Sequence, residues 1–115
     1  MSHDARRLLL ELEQRRREIN RNMIHPEIRE LTLQVMEPII CSVAQVRAAY
    51  VQSLFDLVEQ ADGLPTPEDI DRLRERRCAL DEMVAAVNAL ETMIERGYVD
   101  AVATQSTATL ARANV

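Results

Sequence analysis

The sequence predicts an all-α protein: a long antiparallel helical hairpin, preceded by an N-terminal helix and dimerising into a helical bundle. Its 115 residues include only two Gly and four Pro, too few for the turns of a β-sandwich or barrel. Apolar residues recur at helical spacing in three segments, with Pro or Gly between them. The length suits one domain, which we place at residues 1–100.

The first helix is predicted at about residues 4–22, with Ser2 or Asp4 as its N-cap. Three consecutive arginines at 15–17 interrupt its narrow apolar stripe. We expect these arginines to form a solvated face beside neighbouring glutamates, and a partner-binding role is the alternative. The stripe consists of Ala5, Leu8, Leu9, Leu12, Ile19 and Met23.

The second helix is predicted at about residues 26–62. His25 precedes a proline and therefore ends the first helix, whereas Pro26 fits the first position of the next one. Glu27 and Glu30 would then lie near its positive end. Pro38 lies inside the segment and is expected to kink or divide it.

The third helix is predicted at about residues 67–96. Gly63 closes the preceding helix, and Thr66 is an N-cap followed by Pro67 and two acidic residues. Gly97 ends the segment. After Asp100 the composition shifts to small polar residues, so residues 101–115 are expected to form a flexible or weakly helical tail.

Two apolar faces with heptad spacing are expected to meet in the hairpin or in a dimer. A strict seven-residue repeat is typical of left-handed coiled-coil packing. On the third helix the repeat consists of Leu73, Leu80, Val87 and Ile94. The facing positions on the second helix are Ile39, Val43, Val46 and Tyr50.

The second helix carries a further apolar stripe, about 100° around its axis. A helix that is apolar on two faces is buried on two sides, and the first helix is too short to cover this one fully. We therefore predict a binding surface, for a second copy in a homodimer or for a different protein. The two uses are compatible, and which apolar face serves which partner is left open. The predicted partner-binding residues are Leu33, Ile40, Arg47, Val51, Phe55 and Val58.

Composition excludes several classes of function. The net charge is −5 and aromatic residues make up 3% of the chain, so no basic, base-stacking surface for nucleic acid is expected. All basic residues are Arg, which excludes Schiff-base lysine chemistry. No uncharged apolar stretch approaches the roughly 20 residues that span a bilayer, and we expect a cytoplasmic protein that does not bind membranes.

The sequence shows no pattern typical of catalysis, of a metal site or of a cofactor site. His25 is interpreted as a turn residue. A helical-bundle enzyme is the least favoured class, and it would depend on Glu37, Arg47 and Arg77. Cys41 and Cys78 have no metal-ligand spacing, and we expect free, buried thiols, with pairing across a dimer as the alternative.

Several segments together resemble the small antiactivators of LuxR-type quorum-sensing regulators, including TraM-type proteins and the antiactivator of LasR. The resemblance covers roughly residues 26–98, and the first helix and the tail depart from the TraM-like pattern. It rests on Val46-Arg47, Leu54, Leu57, Leu64-Pro65, the run from Ala86 to Leu90, Met93-Ile94 and Gly97-Tyr98.

The resemblance implies a non-enzymatic inhibitor that binds the transcription activator directly and keeps it from its promoters. The alternative is a structural homo-oligomeric bundle, or a chaperone-like adaptor that uses the same surface for an unrelated client protein.

Overall fold

A computed structural model describes residues 2–28, 30–60 and 63–103 of the chain. Its elements are, in order, α1 (His3–Ile24), β1 (Glu30–Leu31), α2 (Leu33–Gln60), α3 (Pro67–Glu95) and β2 (Asp100–Ala101). The predicted all-α hairpin is confirmed, because the two long helices α2 and α3 pack against each other. Dimerisation stays a prediction. The chain divides into a hairpin unit, residues 36–89, and a terminal unit, residues 1–35 with 90–115.

In the hairpin unit, one apolar face of α2 packs on one apolar face of α3. Val43 is buried, and Tyr50 of α2 and Leu73 of α3 line one groove. Half-buried positions recur on both helices at coiled-coil spacing. Of the eight predicted core residues, Val43 is buried, and Ile39, Val46, Tyr50, Leu73, Leu80 and Val87 of the hairpin unit are half-buried. The eighth, Ile94, is half-buried in the terminal unit.

The predicted start of α2 at Pro26 is wrong, because α2 begins at Leu33. Residues 25–27 form a turn that closes α1, in which the N–H of Ile28 donates to the carbonyl of Ile24. The side-chain oxygen of Thr32 then accepts a hydrogen bond from the N–H of Val35 at 3.2 Å, as an N-cap does. Between the turn and this cap the chain forms β1, which accounts for Glu30 being in a strand rather than in the first turn of α2.

The other helix ends follow the predicted capping residues. The Ser2 hydroxyl accepts from the N–H of Ala5 at the start of α1. At the start of α3, Thr66 and Asp69 each accept a hydrogen bond from the other's backbone N–H at 3.1 Å, which is a capping box. These bonds hold the pKa of Asp69 below its ordinary value. The predicted residues 61–62 of α2, and the tail from 104 onward, lie outside the described residues.

In the terminal unit, the short strands β1 and β2 pair in parallel, with Glu30 opposite Asp100 and Leu31 opposite Ala101. Three side chains of this region are buried: Leu31, Tyr98 and Val99. They form a small core next to the end of α3. The strand pair joins segments about 70 positions apart in sequence, so this core depends on long-range contacts.

The end of α3 has the geometry of a Schellman motif. The N–H of Gly97 donates to the carbonyl of Ile94, and the N–H of Tyr98 donates to the carbonyl of Met93. Gly97 has φ +71°, a left-handed conformation that favours glycine. The motif redirects the chain from α3 toward β2.

Arginines of α1 hold this turn in place. The side chain of Arg17 donates to the carbonyl of Arg96 at 3.2 Å, and that of Arg21 donates to the carbonyl of Gly97 at 2.9 Å. Arg21 also pairs with Asp100 at 2.8 Å, and His25 lies 3.1 Å from the other carboxylate oxygen. We call Arg17, Arg21, His25 and Asp100 the arginine clamp. The clamp donates hydrogen bonds to the carbonyls of Arg96 and Gly97, which follow the end of α3 and have no N–H of a further helical turn to accept from.

We expect Thr66→Ala to lower the free energy of unfolding by about 1 kcal/mol, because it removes the side-chain acceptor that caps α3. Urea unfolding followed by circular dichroism measures the change. Thr92→Ala is the matched control: Thr92 is exposed in the interior of the same helix, and its replacement should change stability by less than about 0.5 kcal/mol. Equal effects of the two substitutions would contradict the role of the cap.

The clamp predicts a stability change at acid pH. Hydrogen bonds from Arg21 and His25 hold the pKa of Asp100 below its ordinary value of 3.8. The carboxylate therefore stabilises the fold above that pH, and the contribution is lost as the pH falls through the lowered pKa. Asp100→Asn should make the protein less stable than the wild type at pH 7, and the gap should shrink below about pH 4.

Urea unfolding at pH 7 and pH 3 tests this, with Glu59→Gln, an exposed carboxylate of the hairpin unit, as the control. A gap that is the same at both pH values would show that the charge of Asp100 is not what matters.

Candidate partner-binding surface

The face of α2 that points away from α3 is apolar and exposed. Ile40 is 51% exposed, Phe55 58% and Val58 64%, against 8% for Val43 on the packed face. These residues lie on one side of α2, which Pro38 does not divide into two helices, so they form a continuous stripe. We call this stripe the open face of α2, and within the hairpin unit it consists of Glu37, Ile40, Ala44, Arg47, Val51, Leu54, Phe55 and Val58.

The residues of the open face recur at intervals of seven. One row consists of Ile40, Arg47 and Leu54, and a second row of Ala44, Val51 and Val58 begins with Glu37 seven residues earlier. Such a pair of rows is the a/d pattern of a helix that packs on another helix. The pattern therefore indicates a helical partner more than a flat or irregular one.

Five of the six predicted partner-binding residues lie on the open face. The sixth, Leu33, is the first residue of α2, belongs to the terminal unit and is 44% exposed. The structure therefore leaves all six exposed to solvent, as a contact surface requires.

An apolar surface of this kind favours association. Full burial of a Val, Leu, Ile or Phe side chain contributes ~1.5–3 kcal/mol, and these side chains still have about half of that burial to gain. Contiguous exposed apolar patches on a soluble chain typically mark interaction sites. The open face of α2 is thus a candidate interaction surface.

Charge is sparse on this face. Between positions 37 and 58 its two charged side chains are Glu37 and Arg47, both exposed. They are ten positions apart in sequence, about 15 Å along the helix axis. At that distance they do not form an ion pair within one chain, and each is available to an opposite charge on a partner.

The apolar stripe of α1 is exposed as well. Leu8, Leu9, Leu12, Ile19 and Met23 are each about half or more exposed, with Met23 at 74%. The terminal unit thus has an apolar helix face of its own.

The residues considered for chemistry do not form a site. Arg77 is exposed and lines the groove next to Tyr50, and Glu37 and Arg47 lie on the open face of α2. His25 lies in the predicted turn and pairs with Asp100. Within the described ranges, no three His, Cys, Asp or Glu side chains are grouped as metal ligands would be.

The expectation of buried cysteines is wrong, because Cys41 and Cys78 are both exposed as well as free. Cys41 is next to the open face of α2, and Cys78 lies on α3. The reason is that α2 and α3 bury only one face each, so a small apolar residue elsewhere on either helix stays in contact with solvent.

The arginine clamp is a cluster of charged side chains that the sequence analysis did not predict. The arginines at 15–17 are exposed, as expected, but Arg17 also donates to a carbonyl 79 positions away. Arg21, outside that run, donates to a carbonyl 76 positions away. Spacing within α1 carries one signal, since Arg17, Arg21 and His25 recur at intervals of four and share one side of the helix. Their partners after Gly97 have no counterpart in local sequence.

A matched pair of substitutions tests which side of α2 is packed. Val43→Ala should lower the free energy of unfolding by about 1.5–2.5 kcal/mol, because it removes buried methyl groups and leaves a cavity. Val58→Ala removes the same atoms from an exposed position, and alanine is the better helix former, so stability should stay within about 0.5 kcal/mol of wild type. Chemical unfolding measures both, and a Val58→Ala loss as large as that of Val43→Ala would show that the open face is packed.

No helix in the described part of the chain is both long enough and apolar enough to cross a membrane. The chain matches no protein-family model, no curated protein and no solved structure.

Proposed function

We propose that this protein is a non-enzymatic antiactivator that binds a LuxR-type quorum-sensing transcription regulator, of which LasR is an example, in the cytoplasm. The observation that carries the proposal is the open face of α2, a heptad-spaced apolar stripe that the described residues of the chain leave exposed. The class of partner is the one that the resemblance noted in the sequence over residues 26–98 implies.

Binding through one face of a helix is a common mode of protein recognition. An amphipathic helix lays its apolar side chains, spaced three, four and seven residues apart, into a hydrophobic groove. Val51, Leu54, Phe55 and Val58 follow this spacing on α2. In the proposed complex they occupy an apolar surface that the regulator needs for its own dimerisation or for docking on DNA.

The charge of the chain supports a protein partner rather than DNA. A protein that occupied the promoter itself would need a basic surface to replace the counterions of the phosphates. This chain has a net charge of −5, and the open face has one acidic and one basic residue. Inhibition therefore acts on the regulator and involves no direct contact with nucleic acid.

The open face also fits an adaptor or chaperone that holds an unrelated client protein by its apolar surface. That reading shares the same residues and differs in the client. Expression of a reporter driven by the regulator separates the two, since an adaptor for an unrelated client leaves the reporter unchanged.

We expect the protein to co-purify with a LuxR-type regulator when the two are co-expressed, and to lower reporter expression. Phe55→Asp should weaken the complex by at least about tenfold, because it places a charge in the middle of an apolar contact. The binding constant of the purified pair, measured by calorimetry, gives the size of the effect.

Leu64→Asp is the matched control, because Leu64 is 93% exposed and lies outside the open face. It should bind like the wild type. Undiminished binding by Phe55→Asp and by Val58→Asp would exclude the open face, and an absence of both co-purification and repression for each LuxR-type regulator tried would contradict the function.

A further inference from the structure

The open face of α2 is self-complementary in shape and charge. Its two charged residues are of opposite sign, Glu37 and Arg47, and between them lie one large side chain, Ile40, and one small one, Ala44. We propose that α2 pairs with α2 of a second copy in antiparallel orientation, with Glu37 of each copy opposite Arg47 of the other.

Charge determines the orientation. In a parallel, in-register pair Glu37 would face Glu37 of the second copy and Arg47 would face Arg47, so that like charges meet twice. The antiparallel pair is related by a two-fold axis, so the contact between Glu37 of one copy and Arg47 of the other occurs twice. Two Glu37–Arg47 ion pairs then flank the centre of the interface.

The same alignment matches large side chains with small ones. When Glu37 is level with Arg47 of the second copy, Ile40 is level with Ala44, and the two-fold axis passes near position 42. Large residues opposite small ones allow layers of side chains to interdigitate. Both helices overlap from position 33 to position 51, about 27 Å at the helical rise.

A longer overlap is possible for the helices but unfavourable for the charges. If the second copy moves by one heptad, Glu37 becomes level with Leu54 and Arg47 with Ala44. Both charges would then lose contact with water and gain no partner of opposite sign, which is costly in an apolar contact. A polar residue at a core position of a coiled coil commonly fixes its register in this way.

Cys41 reports on the pairing because it lies beside the proposed two-fold axis. In the antiparallel alignment the two Cys41 side chains lie on the same flank of the interface and about 3 Å apart along the axis. In a parallel pair they lie on opposite flanks. In the alignment shifted by one heptad, Cys41 is level with Tyr50 of the second copy.

The pairing does not rest on the proposed regulator. It covers Ile40, Arg47 and Val51 and leaves Phe55 and Val58 beyond the overlap, since position 55 would be level with position 29, before α2 begins. Phe55→Asp should therefore leave the dimer unchanged, so that loss of the dimer and loss of regulator binding are separate results.

A charge exchange tests the proposal. In sedimentation equilibrium the wild type should dimerise, whereas Glu37→Arg and Arg47→Glu should each raise the dissociation constant on the order of 10- to 100-fold, because each places like charges together twice. The double variant Glu37→Arg/Arg47→Glu should restore dimerisation. Circular dichroism is expected to be unchanged, since both residues are exposed, and Glu59→Arg, outside the open face, should dimerise like the wild type.

Crosslinking gives a second readout on an unaltered interface. With a short bismaleimide, a chain that keeps only Cys41 (Cys78→Ser) should form a covalent dimer, and one that keeps only Cys78 (Cys41→Ser) should not. A wild type that is monomeric at every concentration would overturn the proposal. So would a double variant that dissociates as readily as the single ones, or crosslinking through Cys78 instead of Cys41.

Discussion

The structure of this protein depends on an imbalance in the packing of α2. The helix has apolar residues on two faces, and α3 covers one of them. Val43 is buried on the covered side, whereas Ile40, three residues earlier, is half exposed. Because the hydrophobic effect is roughly proportional to apolar area removed from water, the uncovered side retains much of its driving force. The hairpin is therefore folded, but it leaves an apolar face of α2 in contact with solvent.

Periodicity and capping chemistry account for what could be predicted from sequence. The seven-residue apolar repeat of α3 requires only helical geometry. The capping box of Thr66 and Asp69 requires only two suitable residues three positions apart. The open face of α2 follows from the same helical periodicity. The sequence gives α2 two apolar stripes, and because α3 can cover only one of them, the other stays exposed. These features are local, and local features are visible in a single sequence.

What could not be predicted depends on contacts across the chain. Pro26 satisfies the local rules for a helix start, yet the segment after it is held as β1 by a strand 70 positions later. The clamp has the same character: Arg21 meets Gly97 and Asp100, which no spacing within α1 indicates. An arginine on a predicted helix surface carries the same local signal whether it faces water or caps the carbonyls of another segment.

The clamp and the open face use charge in different ways. Arg21 has both of its partners within its own chain, the carbonyl of Gly97 and the carboxylate of Asp100. Glu37 and Arg47 are on an apolar face and too far apart to neutralise each other. Two apolar residues at these positions would bind any apolar surface more strongly, so the charged pair lowers affinity in general. In the proposed dimer the charged pair provides selectivity, because only a surface with the complementary charges at the same spacing avoids the cost of leaving them unpaired.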